Sequence, residues 1–220
     1  MKQSLKECLL NLFLPSDTVC VLCGRTLVGS ERTVCCHCED ELMQCVLTPL
    51  ECVSVHEPLI RCISAFSYQS AARKLIHVLK YHSNTIVAPV IGLYMCAALL
   101  RFPRRDWDVI VPVPLHPERL RKRGYNQAQL LAEQVADCYQ QPLRTDLLIR
   151  VLDKKSQTTR RASERRNAMK GVFQADPKAT GLHILLVDDV LTTGATATAC
   201  AQALLEAGAA SVTLVTACQA

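Results

Sequence analysis

From residue 61 onward, short and almost wholly apolar runs alternate with longer stretches in which apolar residues recur every three or four positions. The short runs RCISAFSY (61–68), WDVIVPVP (107–114), LHILLVDDV (182–190) and SVTLVTAC (211–218) predict strands. SAARKLIHVLKYH (70–82), residues 86–101, YNQAQLLAEQVADCY (125–139) and TATACAQALLEAG (196–208) predict helices, the last ended by Gly208. Strands that are apolar throughout are covered on both faces, and strand–helix alternation gives a parallel sheet flanked by helices. The fold class is therefore α/β. Ahead of this region Leu5, Cys8, Leu9, Leu12 and Phe13 fall on one helical face, which predicts a short helix over 3–14 stopped by Pro15. The pattern divides the chain into residues 1–58, a small N-terminal domain, and residues 59–220, the α/β domain.

Composition adds a second theme. The chain has 220 residues, half of them hydrophobic, enough to bury a substantial core, and a formal charge of +5, which favours anionic partners. Thirteen cysteines are many for this length, and eight of them fall in the first 52 residues. The N-terminus carries Lys6, Glu7 and Asn11 within its apolar stretch and does not read as a signal peptide. A cytoplasmic location with reduced thiols follows. The longest largely apolar stretch, residues 86–100, is shorter than the ~20 residues a bilayer requires and contains Pro89 and Gly92. No membrane span is expected.

The cysteines have metal-ligand spacing. Cys20 and Cys23 form one C-x2-C, Cys35 and Cys38 another, with eleven residues between. Each pair points two thiolates at one ion from a tight turn, and two pairs complete the tetrahedral sulfur shell that suits structural Zn2+. Cys36, His37 and Cys45 lie close enough in sequence to replace a member of this set.

In LLVDDVLTTGAT (185–196) two adjacent carboxylates stand where a buried strand meets its loop, a costly position unless something pairs with them. A ribose diol and Mg2+ are both suitable partners. Thr192, Thr193 and Thr196 then supply hydroxyls, and Gly194 lets the backbone of 192–196, Ala195 included, fold so that successive amides point inward at the start of a helix whose dipole favours an anion. Asp188 and Asp189 for the sugar, with residues 192–196 for its 5'-phosphate, describe a ribose phosphate site.

ILLVDDVLTTGAT resembles the phosphoribosyl pyrophosphate (PRPP) motif of type I phosphoribosyltransferases. Together with VPVPLHPERLRKRGYNQAQLLAEQVA, SERRNAMKGVF and the four-cysteine array, it makes nearly the whole chain similar to the ComF family of competence proteins. The resemblance implies a type I phosphoribosyltransferase-like, five-stranded parallel sheet with flanking helices, plus a small N-terminal zinc-binding domain. It also implies PRPP as ligand, Pro114 and Leu115 near the pyrophosphate, and Mg2+ held mainly by PRPP oxygens. Its biological setting is natural transformation, with incoming single-stranded DNA and DNA-uptake or helicase proteins as partners.

Basic residues extend that reading. Arg119, Arg121, Lys122 and Arg123 precede one helix, and Lys154, Lys155, Arg160, Arg161, Arg165, Arg166 and Lys170 crowd a second segment. These segments hold pyrophosphate, line a groove for a nucleic-acid backbone, or are a solvated face. Tyr125 and Phe173 are the aromatics beside them. With the last predicted strand reaching 218, no C-terminal hood of the kind that acceptor-binding phosphoribosyltransferases carry is expected, and Lys2 stands where amidotransferases have a nucleophilic cysteine. PRPP binding with single-stranded DNA handling is the first expectation, and an active phosphoribosyltransferase with an unknown acceptor the second.

Overall fold

The structure is a computed structural model that describes residues 19–47, 61–81, 85–102, 106–151 and 171–220. Over these residues, in chain order, the elements are α1 (Cys36–Met43), β1 (Arg61–Ser67), α2 (Ser70–Tyr81), α3 (Ala88–Leu100), β2 (Val109–Pro112), α4 (Pro117–Arg123), α5 (Gln127–Tyr139), β3 (Leu148–Arg150), β4 (Phe173–Ala175), β5 (His183–Leu191), α6 (Ala195–Glu206) and β6 (Ser211–Gln219). The predicted helix over 3–14 and the 58/59 boundary lie outside the described residues.

Four strands form a wholly parallel sheet in the order β1-β6-β5-β2. Its two faces bury alternate residues of the same strands. Ile63, Ala65, Ile110, Leu185, Val187, Val215 and Ala217 pack under α2, α3 and α5, while Cys62, Val109, Val111, Ile184, Leu186, Val212 and Leu214 pack under α6 and the β3–β4 ribbon. This is the physical origin of the unbroken apolar runs: residues 184–187 of β5 and 212–218 of β6, the two central strands, are buried on both faces of the sheet.

Both edges of the sheet are met by short bridging segments. Residues 45–47 run antiparallel to the end of β1 through a Val46–Phe66 bridge, and Leu143 pairs in parallel with Ile110 beyond β2. That single bridge, bracketed by Ile110 N–H to the Pro142 carbonyl and Arg144 N–H to the Ile110 carbonyl, both 2.9 Å, occupies the position of the expected fifth strand. Among the described residues the parallel sheet therefore has four full strands and a one-residue fifth. The β3–β4 pair is a separate antiparallel ribbon. No helix among the described residues is long and apolar enough to cross a membrane.

All four carboxyl ends of these strands point the same way, so the loops after β2 and β5 open at one edge. Open parallel sheets collect their ligands there.

Candidate functional site

Strand β5 delivers Asp188 and Asp189 to that edge, still within the strand. Asp188 lies opposite Thr216 of β6, whose hydroxyl is fully buried and 2.7 Å from the Ser64 hydroxyl. Its carboxylate accepts the Asp189 N–H at 2.8 Å. Burial first, and the Asp189 charge second, push the Asp188 carboxyl up to about 8, while the Asp189 N–H and Lys80 act the other way. Asp189 is paired: Lys80 Nζ, in the last turn of α2, stands 2.9 Å from its Oδ2.

Two hollows meet at Asp188. The smaller, about 40 Å³, is lined by Asp188, Thr192, Thr193, Gly194, Ala195, Thr196 and Thr216. Gly194 adopts φ 75°, a left-handed conformation that strains other residues, and this turn lets α6 start immediately after the strand. No side chain caps α6 at Gly194, so its first amides are left for another acceptor. The second hollow is an open cleft of about 230 Å³ that shares Asp188 and Thr196 with the first. Pro114, Leu115, Asn126, Gln127 and Asp189 line it, together with four cations, Lys80, Arg119, Arg123 and Arg150.

The walls of the cleft are tied together. Asn126 caps α5 by accepting from the Ala128 N–H at 3.1 Å and donates its amide to the Val113 carbonyl at 2.9 Å, holding the 113–116 loop against the helix. The Tyr125 hydroxyl donates to the Leu79 carbonyl, and the Arg123 guanidinium lies 5.6 Å from the centre of the Tyr81 ring. The end of α2 is thereby fastened to the α4–α5 turn.

Of the sequence-predicted residues, Asp188, Asp189, Thr192, Thr193, Gly194, Ala195, Thr196, Pro114 and Leu115 converge on these two hollows. Arg123 joins the cleft, whereas Arg121 and Lys122 are exposed and do not line it. Lys154, Lys155, Arg160, Arg161, Arg165, Arg166 and Lys170 lie outside the described residues. Phe173 is buried beneath the Arg150 guanidinium, so it offers no open face to a base. Sequence reasoning missed Lys80, Tyr81, Gln127 and Arg150. The Asn-Gln pair at the start of a predicted helix was a usable signal for Gln127, and none pointed to Lys80.

At the other end of the chain the sulfurs of Cys20, Cys23, Cys35 and Cys38 all lie within 4.8 Å of one another. Cys23 and Cys35 sulfurs are 3.7 Å apart, close to the ~3.8 Å edge of a tetrahedron with metal–sulfur bonds of about 2.3 Å. Gly24 N–H closes the first turn on the Cys20 carbonyl at 2.8 Å, and the Cys35 N–H donates to the Cys20 sulfur at 3.4 Å. The Cys38 N–H foremost, aided by Arg25, holds the Cys35 thiol down to about 6, while burial pushes Cys38 up. This group is placed to hold a metal ion. Cys36, His37 and Cys45 stand outside it: Cys36 accepts from Arg25, His37 faces Glu41 at 3.5 Å, and Cys45 donates to the Glu41 carbonyl at 3.3 Å.

Residues 104–220, more than half of the chain, match the phosphoribosyl transferase domain family. The chain is 30% identical over 209 residues to the DNA utilization protein YhgH of Salmonella typhimurium, covering 93% of this chain and 92% of that protein. It is 31% identical over 198 residues to the competence protein ComFC of Bacillus subtilis, covering 86% and 72%, and 25% identical over 197 residues to the competence protein F of Haemophilus influenzae, covering 86% and 85%. The aspartate pair at the carboxyl edge of a parallel sheet, the four-cysteine group and these matches together make the chain a member of the phosphoribosyltransferase-domain family of competence and DNA utilization proteins.

Proposed function

We propose that this chain binds PRPP with Mg2+ at the carboxyl edge of its sheet, carries Zn2+ in its four-cysteine group, and engages incoming single-stranded DNA in natural transformation. The observation that carries the reading is Asp188, shared by a small hollow at the uncapped start of α6 and a larger cleft lined by Asp189 and four cations. A ribose 5-phosphate with a further anionic group on C1 has the matching order of charges: monophosphate, diol, diphosphate. Asp188 and Asp189 would accept from the ribose hydroxyls, and the 192–196 amides would hold the 5'-phosphate. The names of the relatives support the DNA role. So does the surface beside the cleft, where Tyr81 is 65% exposed, its ring 4.6 Å from that of His77, and Arg121 and Lys122 are exposed on α4. An exposed aromatic ring beside exposed cations suits single strands.

Calorimetry with Mg2+ and PRPP, paired with fluorescence anisotropy on a short oligonucleotide, tests this. Oligonucleotide affinity is expected to drop by on the order of fifty-fold between about 50 and about 200 mM salt if about four phosphates are neutralised. Arg121→Glu with Lys122→Glu should weaken DNA binding and spare PRPP, whereas Asp188→Ala should abolish the PRPP signal. Salt-insensitive DNA binding or a silent PRPP titration would count against the reading. Because the family includes transferases, pyrophosphate release from PRPP across a panel of nucleobases distinguishes a ligand from a substrate.

A further inference from the structure

Two buried side-chain polar atoms among the described residues have no hydrogen-bond partner, Gln127 Nε2 and Arg150 Nε, and both residues line the cleft beside Asp188 and Asp189. Buried donors without an acceptor are costly, and folded proteins keep few of them. Their coincidence in one cleft marks a place shaped for an acceptor supplied from outside. Neither side chain is loosely held. Gln127 is the first residue of α5, 2% exposed, directly after the Asn126 cap. Arg150 ends β3 with its guanidinium 5.4 Å from the centre of the buried Phe173 ring. Burial, and next the nearby Arg119, pull Arg150 below the usual arginine range, so this end of the cleft is short of negative charge. The neighbouring cations are partly committed, Lys80 to Asp189 and Arg123 to the face of Tyr81.

The hollow under residues 192–196 and the cleft carrying Gln127 and Arg150 adjoin at Asp188 and Thr196, which line both. A sugar held at the aspartates with its 5'-phosphate in the hollow turns its C1 substituent toward the cleft. We infer that Gln127 and Arg150 are the donors that bind the diphosphate on C1, and that they set selectivity for PRPP over ribose 5-phosphate; this rests on the PRPP reading above.

The test compares Gln127→Met, Arg150→Met and Arg150→Lys with the unaltered chain in calorimetric titrations with Mg2+ and three probes: PRPP, inorganic pyrophosphate and ribose 5-phosphate. Thermal unfolding without ligand runs alongside. PRPP and pyrophosphate should bind about ten- to hundred-fold more weakly to the methionine variants, with ribose 5-phosphate changed by less than about two-fold. The lysine variant keeps the charge but lacks Nε–H, and should recover only part of the affinity. Unliganded Gln127→Met should melt at the same temperature or higher, because it removes an unmet buried donor. A purely structural role predicts the reverse, a lower melting temperature with all three probes weakened alike, and that result overturns the inference. Unchanged PRPP and pyrophosphate binding in the variants overturns it too. If the unaltered chain binds pyrophosphate through both residues but not PRPP, the donors stand as an anion site and the PRPP reading falls. If it binds neither, both fall.

Discussion

Asp188 is held in two conflicting roles. As a buried carboxyl next to another carboxylate it is raised to about 8; in the proposed role of acceptor for sugar hydroxyls it would serve best as the anion. An unfolded chain releases this proton near the ordinary value, about 3.9, whereas the folded chain keeps it to about 8. Between those values the unfolded state binds fewer protons, so this group's contribution to stability is full below about pH 4 and is lost as pH rises toward 8. Asp188→Asn should flatten that fall, leaving the variant more stable than the unaltered chain by a few kcal/mol near pH 8 and little different near pH 4. Urea unfolding at the two pH values checks it, and an unchanged pH slope would contradict the burial argument. The pair itself was readable in LLVDDVLTTGAT. Its counter-charge was not, because Lys80 reaches Asp189 from a helix far back in the chain and nothing local in SAARKLIHVLKYH distinguishes that lysine.

At the scale of elements, the long periodic segments were legible and the short ones were not. The main helices and the four sheet strands fall within a few residues of their predicted spans. β3 and β4 have three residues each, too few for any period to show, and α4 has a single large apolar residue, Leu120. That helix is specified by its ends: Pro117 in the first turn, the His116 ring accepting from the Glu118 N–H, and Gly124 in the left-handed conformation at its close. Arg119 and Arg123, four apart, consequently share the face that lines the cleft. Helix α3 has a different constraint. Gly92 packs so closely on α5 that a Cβ there would stand 2.4 Å from Gln134 Cβ. Gly92→Ala should therefore destabilise by about 1–3 kcal/mol despite the better helix propensity of alanine, seen as a lower melting temperature. A gain in stability would show that the two helices part freely.

Across the whole molecule the cysteine segment and the sheet share one core. Cys20, Val34, Cys35, Cys38, Leu42 and Cys45 pack in the same cluster as Leu75, Ile91, Met95 and Val215. Ser67 N–H donates to the Cys45 carbonyl at 2.8 Å and Leu47 N–H to the Ala65 carbonyl at 3.0 Å, and the Tyr94 hydroxyl reaches Met43. Loss of a metal ion held by the four cysteines should then be felt well beyond them. Chelation, or Cys38→Ser, is expected to lower the melting temperature of the entire chain in one transition, with tryptophan fluorescence from Trp107 and far-UV circular dichroism changing together. Cys36→Ser and His37→Ala should leave metal content, measured by elemental analysis at about one ion per chain, unchanged. Two separate transitions would mean that the cysteine segment folds apart from the sheet.

What the sequence determined by itself were the features written in neighbouring residues: the α/β alternation, the paired C-x2-C, and the aspartates followed by a threonine- and glycine-rich turn. Each depends on interactions within a turn or along one strand, so composition and spacing suffice to reveal it. Only the tertiary structure decided which distant residues complete the site. Lys80, Gln127 and Arg150 come from two helices and a short ribbon, and their chemistry arises from burial and from having or lacking a partner. Desolvation and pairing are properties of a packed neighbourhood, and no local pattern carries them.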